Sequence, residues 1–130
     1  TPLYSSAASD VYKRQLYEDC AFLEAWPGVP VGNEEGEIIS AALGDKRAIL
    51  LSHHGQLSTG ASIEEACVIA QLIERAAKLQ LLAMAAGTIK PILPELGREA
   101  HDWISKPKRH SAAFNYYARQ NLKKHADCLN

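Results

Sequence analysis

Ala48–Gly60, AILLSHHGQLSTG, is the stretch on which the reading of the fold turns. Its first five residues, Ala48–Ser52, are apolar or small without a break, the pattern of a strand buried on both faces. His53-His54-Gly55 follows at once, and the glycine is expected to let the backbone turn sharply. Two imidazoles at the end of a buried strand can aim a nitrogen at a cleft, and in α/β proteins ligands gather at the carboxyl ends of strands. Successive strand residues point to opposite faces, so only one histidine can face a given cleft. His54, held by Gly55, is the candidate for the cleft; His53 is the candidate for packing or for a supporting contact. A single imidazole does not hold Zn²⁺, which takes three protein ligands in a catalytic site. The chain contains no His-x-His and no His-x-x-x-His.

Upstream, Asp45-Lys46-Arg47 is a polar connector, preceded by a predicted helix over Glu34–Leu43. Asn33 is placed to cap it, Glu34, Glu35 and Glu37 suit the positive end of its dipole, and Gly44 ends it. Its expected apolar face is Ile38, Ile39, Ala42 and Leu43. Helix, short connector and buried strand make half of an α/β unit. Trp26-Pro27-Gly28-Val29-Pro30 breaks any regular element. Leu16–Glu24 has no clear period and is assigned to an edge strand, with a short helix as the alternative. Ser5–Gln15, SSAASDVYKRQ, reads as a translated sequencing adapter, so residues 1–15 are set aside as non-native and authentic sequence is expected from about Leu16.

Downstream, Gln56–Ser58 reads as a short strand and Thr59-Gly60-Ala61 as a turn. Ser62 with Glu65 three residues on forms a capping box, and the helix that follows runs to about Ala86, where Gly87 stops it. Ile63, Ala66, Ala70, Ile73, Ala77, Leu81 and Met84 form its expected apolar stripe. Val68, Ile69, Leu72, Leu79 and Leu82 widen that stripe and imply a second apolar contact, either within the domain or between subunits. Thr88–Pro94 is an extended linker, Glu95–Ile104 has helical spacing, and Lys106–His110 reads as a solvated basic loop, with a phosphate contact as the alternative. A last helix is expected from Ser111 or Ala112 to about His125, with Phe114, Tyr117, Ala118 and Leu122 on one face. His101, His110 and His125 have no companion at ligand spacing and are expected to be ordinary surface or half-buried residues.

Composition excludes several classes. Of 130 residues 47% are apolar and 22% charged, with a formal net charge of −1, ordinary values for a globular domain. Nucleic-acid binding lacks its electrostatic driver, and no apolar run approaches the about 18 residues of a membrane span. Cys20, Cys67 and Cys128 fit neither a disulfide framework nor a paired-cysteine zinc site, so a cytoplasmic location is expected.

The run GDKRAILLSHHGQLSTGASIEEACVIAQLIERAAKLQLLAMAAG resembles the C-terminal half of the class II aldolase/adducin family, in particular its aldolase-class-2 proteins. The resemblance covers roughly Gly32–Ile92, with the His-Gly step, Gly60 and the Ser-Ile-Glu-Glu-Ala helix start in family order. It implies an α/β fold, a three-layer α/β/α sandwich, present here as an N-terminally truncated part: residues 16–92 as the domain and 93–130 as a helical tail. It implies that His54 is the third metal ligand, that the metal is Zn²⁺, and that the other two ligands and an acid/base carboxylate precede this stretch. The implied activity is that of a lyase cleaving a carbon–carbon bond of a small hydroxy-carbonyl substrate, phosphorylated or not, through an enediolate. A homotetramer is implied, in which Tyr116 and Tyr117 are candidate contributors to a neighbour's site. An adducin-like scaffold without chemistry, or a decarboxylase, epimerase or iron oxygenase on the same fold, is the alternative.

Overall fold

The structure, a computed structural model, describes residues 16–25, 32–89 and 91–129. The adapter reading of Ser5–Gln15 and the loop reading of Trp26–Pro30 lie outside these residues. Among the described residues three strands, β1 (Cys20–Leu23), β2 (Ala48–Leu51) and β3 (Gly55–Ser58), form one sheet in the order β1-β2-β3. β1 runs parallel to β2 with Cys20 opposite Ala48, and β3 returns antiparallel with Gly55 opposite Leu51. The described helices are α1 (Glu34–Leu43), α2 (Ile63–Ala86), α3 (Pro94–Ile104) and α4 (Pro107–Lys124), followed by a 3₁₀ turn over Ala126–Leu129.

Strand alternation sorts the core into two clusters, one on each face of the sheet. Ile49 and Leu51 of β2, with Ala21 of β1, meet Ile39, Ala42 and Leu43 of α1. Ala48 and Cys20, backed by Leu50, meet Val68, Ile69, Leu72, Ile73 and Ala76 of α2 and Ala113, Phe114 and Tyr117 of α4. Helix, sheet and helix pair are therefore the three layers of an α/β/α sandwich. Ile49 and Ile69 are fully buried, each contributing about 1.5–3 kcal/mol by removal of apolar surface from water.

Local signals set the ends of the helices. Gly44, at φ +59°, ends α1, and Gly87, at φ +148°, ends α2. At the start of α2, Ser62 Oγ accepts from the Glu65 amide at 3.2 Å. The Glu65 carboxylate reaches one residue further back than a capping box requires and accepts from the Ala61 amide at 2.8 Å. Asn33 sits at the head of α1 in a helical conformation and makes no side-chain cap.

Three sequence expectations are corrected. Ile38 of α1 is exposed, and only Ile39, Ala42 and Leu43 of the expected face meet the sheet. The buried stripe of α2 is Val68, Ile69, Leu72, Ile73, Ala76 and Gln80, leaving Ile63 76% exposed and Leu81 and Met84 exposed as well. The helix is apolar on several sides, and the register that buries branched side chains removes more apolar area than one that buries alanines. Finally, Lys106–His110 is not a loop. Pro107 is the first residue of α4, where its fixed φ suits a helix start and its missing N–H costs nothing. Lys106 and Arg109 cover the Trp103 ring at 4.5 and 5.2 Å from its centroid.

Candidate functional site

β2 ends at Leu51, and Ser52–His54 form a three-residue loop into β3. The His54 amide donates to the Leu51 carbonyl at 3.1 Å, and the Ser52 amide donates to the Leu23 carbonyl of β1 at 3.0 Å, fixing the loop to both parallel strands. Both histidines are exposed at the carboxyl end of those strands. The sharp step is not at Gly55, as the sequence suggests. His53 takes the left-handed conformation, at φ +58°, while Gly55 is already the first residue of β3 with open space where a Cβ would lie. The imidazoles thus stand on a turn rather than a strand, and alternation does not separate their roles.

Among the described residues no group of three His, Cys, Asp or Glu side chains could hold a metal ion. His54 therefore offers a single ligand, and the residues described do not make a metal centre by themselves. Tyr117 lies in the seam between α2 and α4 with the Arg75 guanidinium 5.2 Å from its ring centroid, and the exposed Tyr116 meets it edge-on at 5.7 Å.

The amino ends of the same strands carry a cluster that the sequence does not announce. Arg47, just before β2, bonds the Asp19 carboxylate, which lies just before β1, through both its backbone amide and its guanidinium. It also donates to Glu65 Oε1 at 2.8 Å and to Ser105 Oγ at 3.2 Å. His101 Nε2 lies 3.2 Å from Asp19 Oδ2 and 3.1 Å from the Arg47 guanidinium, and its Nδ1 lies 3.0 Å from Asp102. His110, 4% exposed, brings Nδ1 to 3.4 Å from Glu65 Oε1 without a hydrogen bond. His101 is half-buried, as expected, although it meets a carboxylate from far along the chain, whereas His110 is buried rather than a surface or half-buried residue.

Burial opposes the charge on Asp19, but hydrogen bonds from His101 and Arg47 outweigh it and hold the carboxyl at about 2. The hydrogen bond to Asp19 raises His101 against the opposing effect of burial, whereas burial lowers His110 despite the nearby Glu65. Burial likewise pushes the Cys20 thiol up to about 11, leaving it a packing residue rather than a nucleophile. These residues come together from positions 18 to 82 apart in sequence, so no local motif could reveal them.

The histidine turn, the sheet and most of α2 lie within residues 2–81, which match the family described as Class II Aldolase and Adducin N-terminal domain. The chain belongs to this family. The match begins upstream of Leu16 and so includes the stretch with an adapter-like sequence. An L-fuculose 1-phosphate aldolase from Glaciozyma antarctica superimposes with a TM-score of 0.79 at 25% identity, over 98% of this chain and 46% of its own. The 4-hydroxy-3-prenylphenylpyruvate oxygenase/4-hydroxy-3-prenylbenzoate synthase of Streptomyces roseochromogenus subsp. oscitans is 32% identical over 83 residues, covering 64% of this chain and 30% of that protein. A rhamnulose-1-phosphate aldolase of Listeria monocytogenes is 33% identical over 67 residues, covering 52% and 24%. The chain spans less than half the length of each of these three. Its fold is that of the class II aldolases. No described helix is long and apolar enough to cross a membrane.

Proposed function

We propose that this chain is part of a metal-dependent class II aldolase-like lyase, cleaving a carbon–carbon bond of a small hydroxy-carbonyl substrate, with His54 as one metal ligand. The observation that carries the reading is the placement of His54: exposed, on a loop tied to both parallel strands, at the sheet end where α/β proteins bind ligands. The relatives named as sugar-phosphate aldolases support the substrate class. A divalent cation, Zn²⁺ in this reading, supplies Lewis acidity toward a substrate carbonyl when bound. The chain's own contribution is to fix the backbone of His54 through the Leu51 and Leu23 carbonyls, so that the imidazole is presented from a rigid base. The remaining ligands and the acid/base group would come from outside the described residues, within a cytoplasmic homotetramer. The relative named as an oxygenase favours a second reading, iron-dependent oxidative cleavage on the same scaffold.

Elemental analysis of a version extended to the length of the relatives, beside its His54→Ala variant, tests the ligand assignment. The expected result is one divalent metal per subunit, bound about tenfold more weakly or worse in the variant, since even outer partners of metal ligands cost that much. Equal metal in both would remove His54 from the site. Whether the metal is zinc or iron separates the two readings.

A further inference from the structure

α3 turns its polar side inward. Its His101 and the Ser105 that ends it join the charged cluster, Arg98 pairs with Glu18 at 3.1 Å, and Gly97 lies against the Tyr17 ring. Leu96 and Trp103, about two turns apart, stand on the opposite side, 49% and 58% exposed. Beyond Trp103 come Lys106, Lys108 and Arg109, all exposed, and none of them pairs with a carboxylate among the described residues. Lys106 and Arg109 lie over the Trp103 ring, and all three cations stand at the start of α4, where the helix dipole opposes them and no acidic residue offsets them. Asp102 is engaged by His101, and Glu99 and Glu95 lie about one and two turns back, so positive charge gathers at the Trp103 end of the apolar strip.

α1 carries the complementary surface. With Ile39, Ala42 and Leu43 turned to the sheet, helical spacing places Glu34, Glu37, Ile38 and Ala41 on its outer side, all exposed, and Glu35 adds to the charge of the first turn. Among the described residues no cation pairs with Glu34, Glu35 or Glu37. α1 packs on one face of the sheet, whereas α4 packs with α2 on the other, so the two patches of one copy do not meet. A chain of net charge −1 whose opposite charges are gathered on separate faces is complementary to a second copy of itself. We propose that α1 of one copy docks on the Trp103 surface of the next. Ile38 and Ala41 cover Leu96 and Trp103, while Glu34, Glu35 and Glu37 meet Lys106, Lys108 and Arg109. The apolar strip supplies the burial, and the charges set the register. Because the contact joins two different surfaces it runs head to tail, giving a ring where the rotation closes. It rests on the proposed homotetramer in taking another copy as the partner, and it names the surfaces that join the copies.

Sedimentation equilibrium of the full chain tests the contact by charge reversal and mixing. The wild type is expected to associate, and more weakly as salt is raised from about 0.05 to 0.5 M. One variant carries Glu34→Lys, Glu35→Lys and Glu37→Lys; the other carries Lys106→Glu, Lys108→Glu and Arg109→Glu. Each alone sets like charges against each other at every contact and is expected to associate at least tenfold more weakly than the wild type. An equimolar mixture sets opposite charges at every contact between unlike copies and is expected to restore association. Should a reversed variant fail to fold, as read by circular dichroism, the single reversals Glu37→Lys and Arg109→Glu are mixed in the same way. A monomeric wild type overturns both the contact and the homotetramer. Association that survives the reversals, or that mixing does not restore, overturns the contact alone and leaves the homotetramer and the ligand role of His54 standing.

Discussion

His53 is the one residue of the histidine turn whose backbone is strained, and it neighbours the candidate ligand. A non-glycine residue at φ +58° gives up about 1–2 kcal/mol relative to an ordinary conformation, and such positions persist where the surroundings over-determine them. Here the bonds from His54 to Leu51 and from Ser52 to Leu23 do so. His53→Gly is accordingly expected to raise stability by about 0.5–1 kcal/mol, after allowing for the larger entropy glycine loses on folding. Gly55→Ala, at an ordinary φ with open space around it, is expected to change stability by less than about 0.5 kcal/mol. Urea titrations of both variants check the pair; a destabilised His53→Gly or a strongly destabilised Gly55→Ala would reverse the assignment of the strain. The presence of a turn here was legible from His-His-Gly. Which residue takes the left-handed conformation was not, because glycine permits it without requiring it, and the strand register fixed by Leu51 and Gly55 makes the choice.

At the level of elements, the start of α2 shows how a glycine chosen for space differs from one chosen for conformation. A Cβ on Gly60 would lie 2.7 Å from Glu65 Cγ and 2.8 Å from its Cβ, although the backbone of Gly60 is not left-handed. Glu65 cannot swing aside cheaply, because its oxygens are held by Arg47 and Ala61. Gly60→Ala is expected to cost about 1–3 kcal/mol, as overpacking does elsewhere, and to weaken protection of the first turn of α2 in hydrogen exchange. An unchanged unfolding midpoint would show that Glu65 is not pinned. Gly97 plays a similar part in α3, lying so near the Tyr17 ring that a Cβ would come within 2.5 Å of it. The extents of α1 and α2 were legible because their signals are local: acidic first turns, Ser62, Gly44 and Gly87. The phase of α2 and the start of α4 were not. Both depend on packing, the former on which apolar side the sheet and α4 cover, the latter on a proline that begins one helix just after another has ended.

Across the whole molecule, the histidine turn and the charged cluster occupy opposite ends of one short sheet, a division in keeping with α/β proteins, where ligands bind at the carboxyl ends. The resemblance to class II aldolases made the first legible; the second required the fold, since Asp19 and His101 meet across 82 positions. The cluster bridges β1, β2 and three helices, so stability should follow its titration. Asp19, held at about 2 against an ordinary 3.8, contributes stability that is present above its unfolded value and is lost as pH falls toward 2. At about 1.4 kcal/mol per unit, that contribution is about 2 kcal/mol. His101, raised, acts in the opposite sense: its contribution is complete below the ordinary histidine value and is lost as pH rises through its own. His110, lowered, contributes above the ordinary value and loses that contribution on acidification. Asp19→Asn removes the acceptor shared by Arg47 and His101 and should cost at least about 2 kcal/mol in urea unfolding at pH 7. The difference from wild type should narrow steadily as pH is lowered from 4 toward 2, because the wild-type carboxylate is then being neutralised too. It should also narrow as pH rises through the raised His101 value, where His101 loses its proton in the wild type and no longer draws on Asp19. Parallel curves for the two proteins across the whole range would mean that Asp19 acts only through packing, and that the cluster does not couple the charge state of the molecule to its fold.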